Sequence, residues 1–158
     1  MAQKPDVLDR IIGEAVRIKA EVVSADEREA GLRRILNFGH TFGHALEAET
    51  GFSSRLLHGE AVALGMMLAF DFAARLGLVP TAEGDRVRRH FAATGLPTGL
   101  AAVGLSGIPA ERLLAHMGRD KKVRDGRIAL ILPRQIGDAF VMKDAPIEAL
   151  RDFHAQAA

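Results

Sequence analysis

The sequence predicts a mainly α, helical bundle-like domain with one small β-hairpin. Three observations carry this. Apolar residues recur at helical spacing in several separate segments, beginning with Val7, Leu8, Ile11, Ile12, Ala15 and Ile18. Residues from His58 to Leu76 are apolar nearly all round, the mark of a helix buried on most sides. Only RIALIL (Arg127 to Leu132) reads as a convincing strand, and nothing repeats or alternates as βαβ units.

Taken in order, Asp6 to Val23 is an amphipathic helix, and Asp26 to Gly31 (DEREAG) is an acidic approach to the next one. That second helix is expected over Leu32 to Glu49, ended by a loop marked by Gly51, Ser53 and Ser54. The buried helix from His58 to Leu76 stops at Gly77 and Pro80, and Thr81 is the expected N-cap of a helix reaching Thr94. Residues 95 to 108 form a Gly-rich connector, after which Pro109 suits the first turn of a short helix through His116. Ala139 to Met142 is expected to pair with the RIALIL strand across Pro133 to Asp138, and Pro146 starts a closing helix.

At 158 residues with 48% apolar content, the chain can bury one core, so residues 1–158 read as a single helical domain. Lysine and arginine total 21 against 20 acidic residues, so no overall field favours nucleic acid or a membrane surface. Without cysteine there is no disulfide and no thiolate metal site; a metal would need His, Asp or Glu. The N-terminal stretch lacks the apolar core of a signal peptide, and the longest apolar run, Ala61 to Phe70, is too short to span a bilayer. A cytoplasmic protein is the expectation. No Gly-x-Gly-x-x-Gly follows a strand and no Walker motif occurs, so the chain shows no nucleotide site of its own.

The chemistry is concentrated in residues 31 to 69. Arg33, Asn37, His40 and His44 lie at offsets of 4, 7 and 11 from the first, which stacks them on one face of a helix, and Glu47 extends the stripe. Two histidines four apart can grip one Zn²⁺. Such a pair is more often a surface or helix-interface feature, but Asn37, Arg33 and a later histidine, His58, are hard to explain as packing. Gly39 and Gly43 each cost roughly 1 kcal/mol of helix stability against Ala, so something must approach the backbone closely there. His58 sits at a helix start, where unpaired N–H groups favour anions, and Glu60 is either a carboxylate that fixes a histidine tautomer or an ordinary first-turn acid. Lys19 alone reads as a surface lysine, and Lys121 with Lys122 as a solvated turn. His90, His116 and His154 have no evident partners and read as structural.

LNFGHTFGHALE followed by HGEAVALGM resembles the signature of the 3-dehydroquinate synthase family. The likeness extends upstream through IKAEVVSADEREAGLR and downstream through RDKKVRDGRIALILPRQIGD, so it covers nearly the whole chain. Family members are about twice as long as a single domain of this size, an N-terminal Rossmann-like NAD domain preceding a helical metal and substrate domain. This chain resembles the second half alone, with the NAD domain absent from it.

The resemblance implies a set of roles. His40 and His58 match the two histidine ligands of a Zn²⁺ (or Co²⁺), whereas spacing alone would pair His40 with His44; we follow the resemblance. His44 then faces substrate with Asn37, near the phosphate that leaves. Lys19 and Arg33 match basic residues that hold the substrate carboxylate, and Lys121, rather than Lys122, is taken as another substrate lysine. The third ligand, a glutamate, belongs to a segment that would precede Met1. The implied reaction converts 3-deoxy-D-arabino-heptulosonate 7-phosphate to 3-dehydroquinate with loss of phosphate, using NAD supplied by the other half. A homodimer and a place in the shikimate pathway are implied as well. Two alternatives stand beside it: another sugar-phosphate cyclase, or a non-catalytic domain that binds a metal or anion or only mediates association.

Overall fold

A computed structural model of the chain describes residues 4–119 and 128–157. The structure is mainly helical with one two-stranded antiparallel sheet, as the sequence predicts. The chain divides into two compact units, Met1–Leu36 and Asn37–Ala158.

The first unit is built on α1 (Pro5–Ala25). Pro5 suits its first turn, where the missing N–H has no helical partner in any case. Val7, Ile11, Ile12, Val16 and Ile18 remain 48–63% exposed, while Arg17 bridges Glu14 and Glu21 on the polar side. The DEREAG segment is held by Asp26. Its carboxylate accepts from the backbone N–H groups of Ala30 (2.9 Å), Gly31 (2.7 Å) and Arg33 (3.0 Å). Those three donors, led by Arg33, hold the carboxyl below its usual range.

The expected helix over Leu32 to Glu49 is broken. A 3-10 helix covers Leu32–Asn37, Gly39 takes a left-handed conformation (φ 82°), and α2 runs over His40–Glu49. The continuous stripe from Arg33 to His44 therefore does not exist. His40, His44 and Glu47 share the α2 face; Arg33 and Asn37 belong to the preceding 3-10 helix.

The second unit is organised around α3 (His58–Arg75), in which Ala61, Leu64, Met67, Phe70 and Phe72 are among ten buried residues. Burying a side chain such as Phe72 or Leu64 stabilises by roughly 1.5–3 kcal/mol. α2 packs on α3 with almost no space between their backbones. A Cβ on Gly65 would lie 2.0 Å from the Gly39 carbonyl oxygen and 2.8 Å from the Gly43 nitrogen. One on Gly43 would meet the Ala61 carbonyl oxygen at 3.0 Å, and one on Gly39 the Val62 carbonyl oxygen at 2.8 Å. What approaches Gly39 and Gly43 is thus the α3 backbone.

α4 (Thr81–Thr94) begins after an extended Pro80, so Thr81 is its first residue rather than its cap. Gly95 closes it in a left-handed conformation (φ 81°), where Gly has no Cβ penalty. Arg88 on α4 grips both oxygens of Asp71 on α3 (2.8 and 2.9 Å) and also donates to the Thr98 carbonyl. The Gly-rich connector holds a short 3-10 helix, Leu100–Val103, and α5 (Ala110–Arg119) starts after Pro109 and runs beyond His116. Glu49 at the end of α2 pairs with Arg112 (2.5 Å) and His116 (3.1 Å) on α5, so His116 has a partner the sequence did not reveal.

Strands β1 (Ile128–Gln135) and β2 (Asp138–Ala145) pair antiparallel, with Leu130 opposite Met142 and Leu132 opposite Phe140. Both run further than the sequence indicated. Pro133 lies within β1 at a register irregularity, and the turn shrinks to Ile136 and Gly137, the latter at φ 90°. β1 buries Ile128, Leu130, Ile131 and Leu132 in the core, and α6 (Ile147–Ala157) adds Leu150 and Phe153. No helix among the described residues is long and apolar enough to cross a membrane.

His154 on α6 is 1% exposed, packs against the rings of Phe42 and Phe153, and has no hydrogen-bond partner for either nitrogen among the described residues. Burial alone lowers its pKa to about 4. The folded ring is therefore neutral where an unfolded one, near 6.5, begins to bind a proton. Its contribution to stability is fully present above pH 6.5 and is lost as pH falls towards 4, because the unfolded state takes up protons first. A lowering of that size corresponds to about 3 kcal/mol. Urea unfolding of wild type and His154→Phe at stepped pH should show this loss in the former and its absence in the latter; parallel curves would refute it.

The helix crossing makes a second prediction. Gly65→Ala should destabilise the chain by about 3 kcal/mol or more, since the clash is with backbone that cannot step aside. Gly13→Ala on α1, with nothing within 4 Å, should instead be neutral or stabilising. Equal melting temperatures for the two variants would contradict the crossing.

Candidate metal centre

α2 presents two opposite faces. Phe42, Ala45 and Leu46 are buried in the core, while His40, His44 and Glu47, at offsets of 0, 4 and 7, line the other side. Gly39 starts the helix immediately before His40, so the first imidazole stands at its N-terminal end. The loop after α2 turns sharply, with Phe52 at positive φ (53°), and returns the chain so that His58 opens α3 beside α2.

Three imidazoles meet there. The His40 ring centroid is 5.4 Å from that of His44 and 5.5 Å from that of His58, and His44 and His58 are 6.1 Å apart. Glu47 joins them: ligand atoms of His44, Glu47 and His58 all lie within 4.8 Å of one another. Nitrogen and oxygen donors at this separation suit Zn²⁺ or Co²⁺.

The protonation pattern follows from the hydrogen bonds. His40 Nδ1 lies 3.3 Å from the Phe38 carbonyl oxygen, which can only accept, so Nδ1 carries the proton and Nε2 keeps a lone pair. His58 Nδ1 lies 3.1 Å from Glu47 Oε1, again an acceptor, with the same consequence. Burial pushes the His40 imidazole below its usual pKa, opposed by the Phe38 carbonyl and reinforced by the charges of His44 and His58. A neutral ring is the form that binds a metal.

Glu60, one of the two carboxylate roles left open by the sequence, accepts from the Leu57 N–H (2.9 Å) and caps α3. The acid that reaches a histidine is Glu47, eleven residues from His58. The sequence placed Glu47 on the stripe; the return of the chain at residues 50–57 sets it against His58.

The remaining expected residues are placed differently. Lys19 is exposed on α1. Arg33 closes the first unit, half-buried, with Nη1 donating to the Glu27 carbonyl (2.7 Å). Asn37 is half-buried at the end of the 3-10 helix, three residues before His40. Lys121 lies outside the described residues. The structure thus brings together His40, His44 and His58, with Glu47 added.

The family model for the C-terminal region of 3-dehydroquinate synthase matches residues 1–123. A 3-dehydroquinate synthase of Caulobacter vibrioides is 52% identical over 148 residues, covering 94% of this chain and 40% of that protein. One from Rhodospirillum rubrum is 56% identical over 134 residues, covering 83% of this chain and 34% of the relative. The chain therefore spans about two fifths of the length of such relatives. Among solved structures, a 2-epi-5-epi-valiolone synthase from Streptomyces hygroscopicus subsp. jinggangensis, with NAD⁺ and Zn²⁺ bound, superposes over 98% of this chain and 41% of its own. Its TM-score is 0.77 at 30% identity. A 2-deoxy-scyllo-inosose synthase shares the fold at TM-score 0.76 and 22% identity, over 99% of this chain and 43% of its own. By the extent and identity of these matches, the chain belongs to the 3-dehydroquinate synthase C-terminal family.

Proposed function

We propose that this chain supplies the metal- and substrate-binding half of a 3-dehydroquinate synthase. The observation that carries the reading is the pair His40 and His58, on two helices, each with its Nδ1 held by an acceptor. These two would hold Zn²⁺ or Co²⁺, with a further donor from polypeptide that precedes this region in the relatives. When bound, the metal polarises the oxygen of the hydroxyl group that is oxidised. Hydride transfer belongs to NAD⁺, for which the N-terminal NAD domain is the expected site.

The chain's own groups then act on a phosphorylated sugar acid, 3-deoxy-D-arabino-heptulosonate 7-phosphate. Arg33 offers a planar guanidinium for a bidentate grip on the carboxylate, and Lys19 and Lys121 add charge at the anionic ends of the substrate. His44, exposed beside the two ligands, and Asn37 bind the departing phosphate, whose own oxygen takes the proton removed in the elimination. Holding both anionic ends fixes the ring, so orientation supplies much of the rate. The Caulobacter and Rhodospirillum relatives, at about half identity, are 3-dehydroquinate synthases, which favours this substrate over that of another sugar-phosphate cyclase. The setting is a cytoplasmic shikimate-pathway enzyme acting as a homodimer.

Mixed with the separately expressed N-terminal portion of the Caulobacter relative, NAD⁺ and Zn²⁺, the chain should release phosphate from this substrate. His40→Ala should lose bound metal and phosphate release together; activity without metal would sink the assignment. No release from two folded halves would leave the non-catalytic reading. Arg33→Ala should raise KM by roughly 10- to 100-fold, the loss of a charge-assisted contact, with kcat little changed. An unchanged KM would point to a substrate without a carboxylate.

A further inference from the structure

Glu47 is a carboxylate with an unusual placement. Its side chain is only 12% exposed, yet the group it meets, His58, is 60% exposed. An acid on α2 could reach water by turning outward; this one aims Oε1 at His58 Nδ1 from 3.1 Å. The carboxylate nearer in sequence, Glu60, is already committed to the Leu57 N–H. His40 obtains its acceptor from a backbone carbonyl two residues away. His58, the first residue of α3 after a loop, takes a side chain from α2 instead.

We propose that Glu47 is a positioning residue: it fixes His58 as the Nδ1–H tautomer and holds the ring beside His40 with its Nε2 lone pair available to a metal. An ionised carboxylate is acceptor-only, so it selects one tautomer and leaves the far nitrogen with its lone pair. The same contact ties the start of α3 to the third turn of the stripe on α2, so His58 is aimed by the helix that carries its partners. The functional meaning of this role rests on the metal reading above; the tautomer itself does not.

Two readouts on the whole chain separate these. In metal-free protein labelled with ¹⁵N-histidine, held at about pH 8 so that the imidazoles are neutral, His58 should show a protonated Nδ1 and a bare Nε2. Glu47→Gln, whose amide oxygen also accepts, should keep that pattern, and Glu47→Ala should lose it. A wild-type His58 protonated on Nε2, or a pattern unmoved in Glu47→Ala, overturns the proposal. Titration with Co²⁺, followed by its visible absorption, should then show Glu47→Ala binding roughly 10- to 100-fold more weakly. Glu47→Gln should recover most of that loss with an unchanged band. Equal loss in both variants with a shifted band would make Glu47 a direct ligand and overturn the positioning role. Wild-type chain mixed with the N-terminal portion of the Caulobacter relative that takes up no Co²⁺, while its tautomer responds to Glu47, would uphold the positioning and sink the metal reading.

Discussion

Everything in the second unit depends on how closely the backbones of α2 and α3 approach. Gly39, Gly43 and Gly65 form a contact with no room for a single Cβ. Ordinary helix pairs sit 8–10 Å apart, separated by their side chains. Removing those side chains at one crossing lets the first turn of α2 lie against the second turn of α3. That approach brings imidazoles from two helices within 6 Å of His40, on a scaffold whose opposite faces are filled by Phe42, Leu46, Leu64 and Phe72. The glycines lower helix propensity, and the loss is offset by dispersion contact along the crossing and by the core that it closes.

Much of this was legible in the sequence. Helical spacing located α1, the all-round apolar run with its Gly77 and Pro80 stop located α3, and the Thr81 start located α4, each to within about two residues, and the RIALIL run located β1. The break at Gly39 was not legible, because Arg33, Asn37, His40 and His44 keep helical offsets whether or not one helix carries them. A 3-10 helix followed by an α-helix preserves enough of that spacing to mimic continuity. The glycines raised the right question, what comes close to the backbone, but nothing local distinguishes a ligand from another helix. Glu47 and Glu60 show the same limit. Both acids are a short distance along the chain from His58, and the assignment between them turns on a loop geometry, with Phe52 at positive φ, that residue type does not announce.

Histidines were the hardest residues to read, because burial and partners decide their character and both are tertiary. His116 meets Glu49 from 67 residues away, with Arg112 on the other oxygen, and that carboxylate ties α2 to α5. His154 has the reverse environment, two phenyl rings and no acceptor. One position is therefore built around a charge and the other excludes it, although both lie in amphipathic helices of similar composition.

The same contrast explains how one short helix can serve core and site together. α2 has ten residues and must bury an apolar face, present two imidazoles and anchor α5. It does so by angle: Phe42, Ala45 and Leu46 point inward, His40, His44 and Glu47 point towards the start of α3, and Glu49 reaches α5. A neutral imidazole needs an acceptor for its N–H if its lone pair is to be aimed, and helix geometry leaves few carbonyls free for this. His40 can use Phe38 because the chain has not yet become helical there, which is what the left-handed Gly39 secures. His58 stands at a helix start too, and its acceptor is the Glu47 carboxylate from across the crossing. The glycine contact and the Glu47 contact are thus parts of one arrangement, since only helices this close allow a carboxylate on one to orient a histidine on the other.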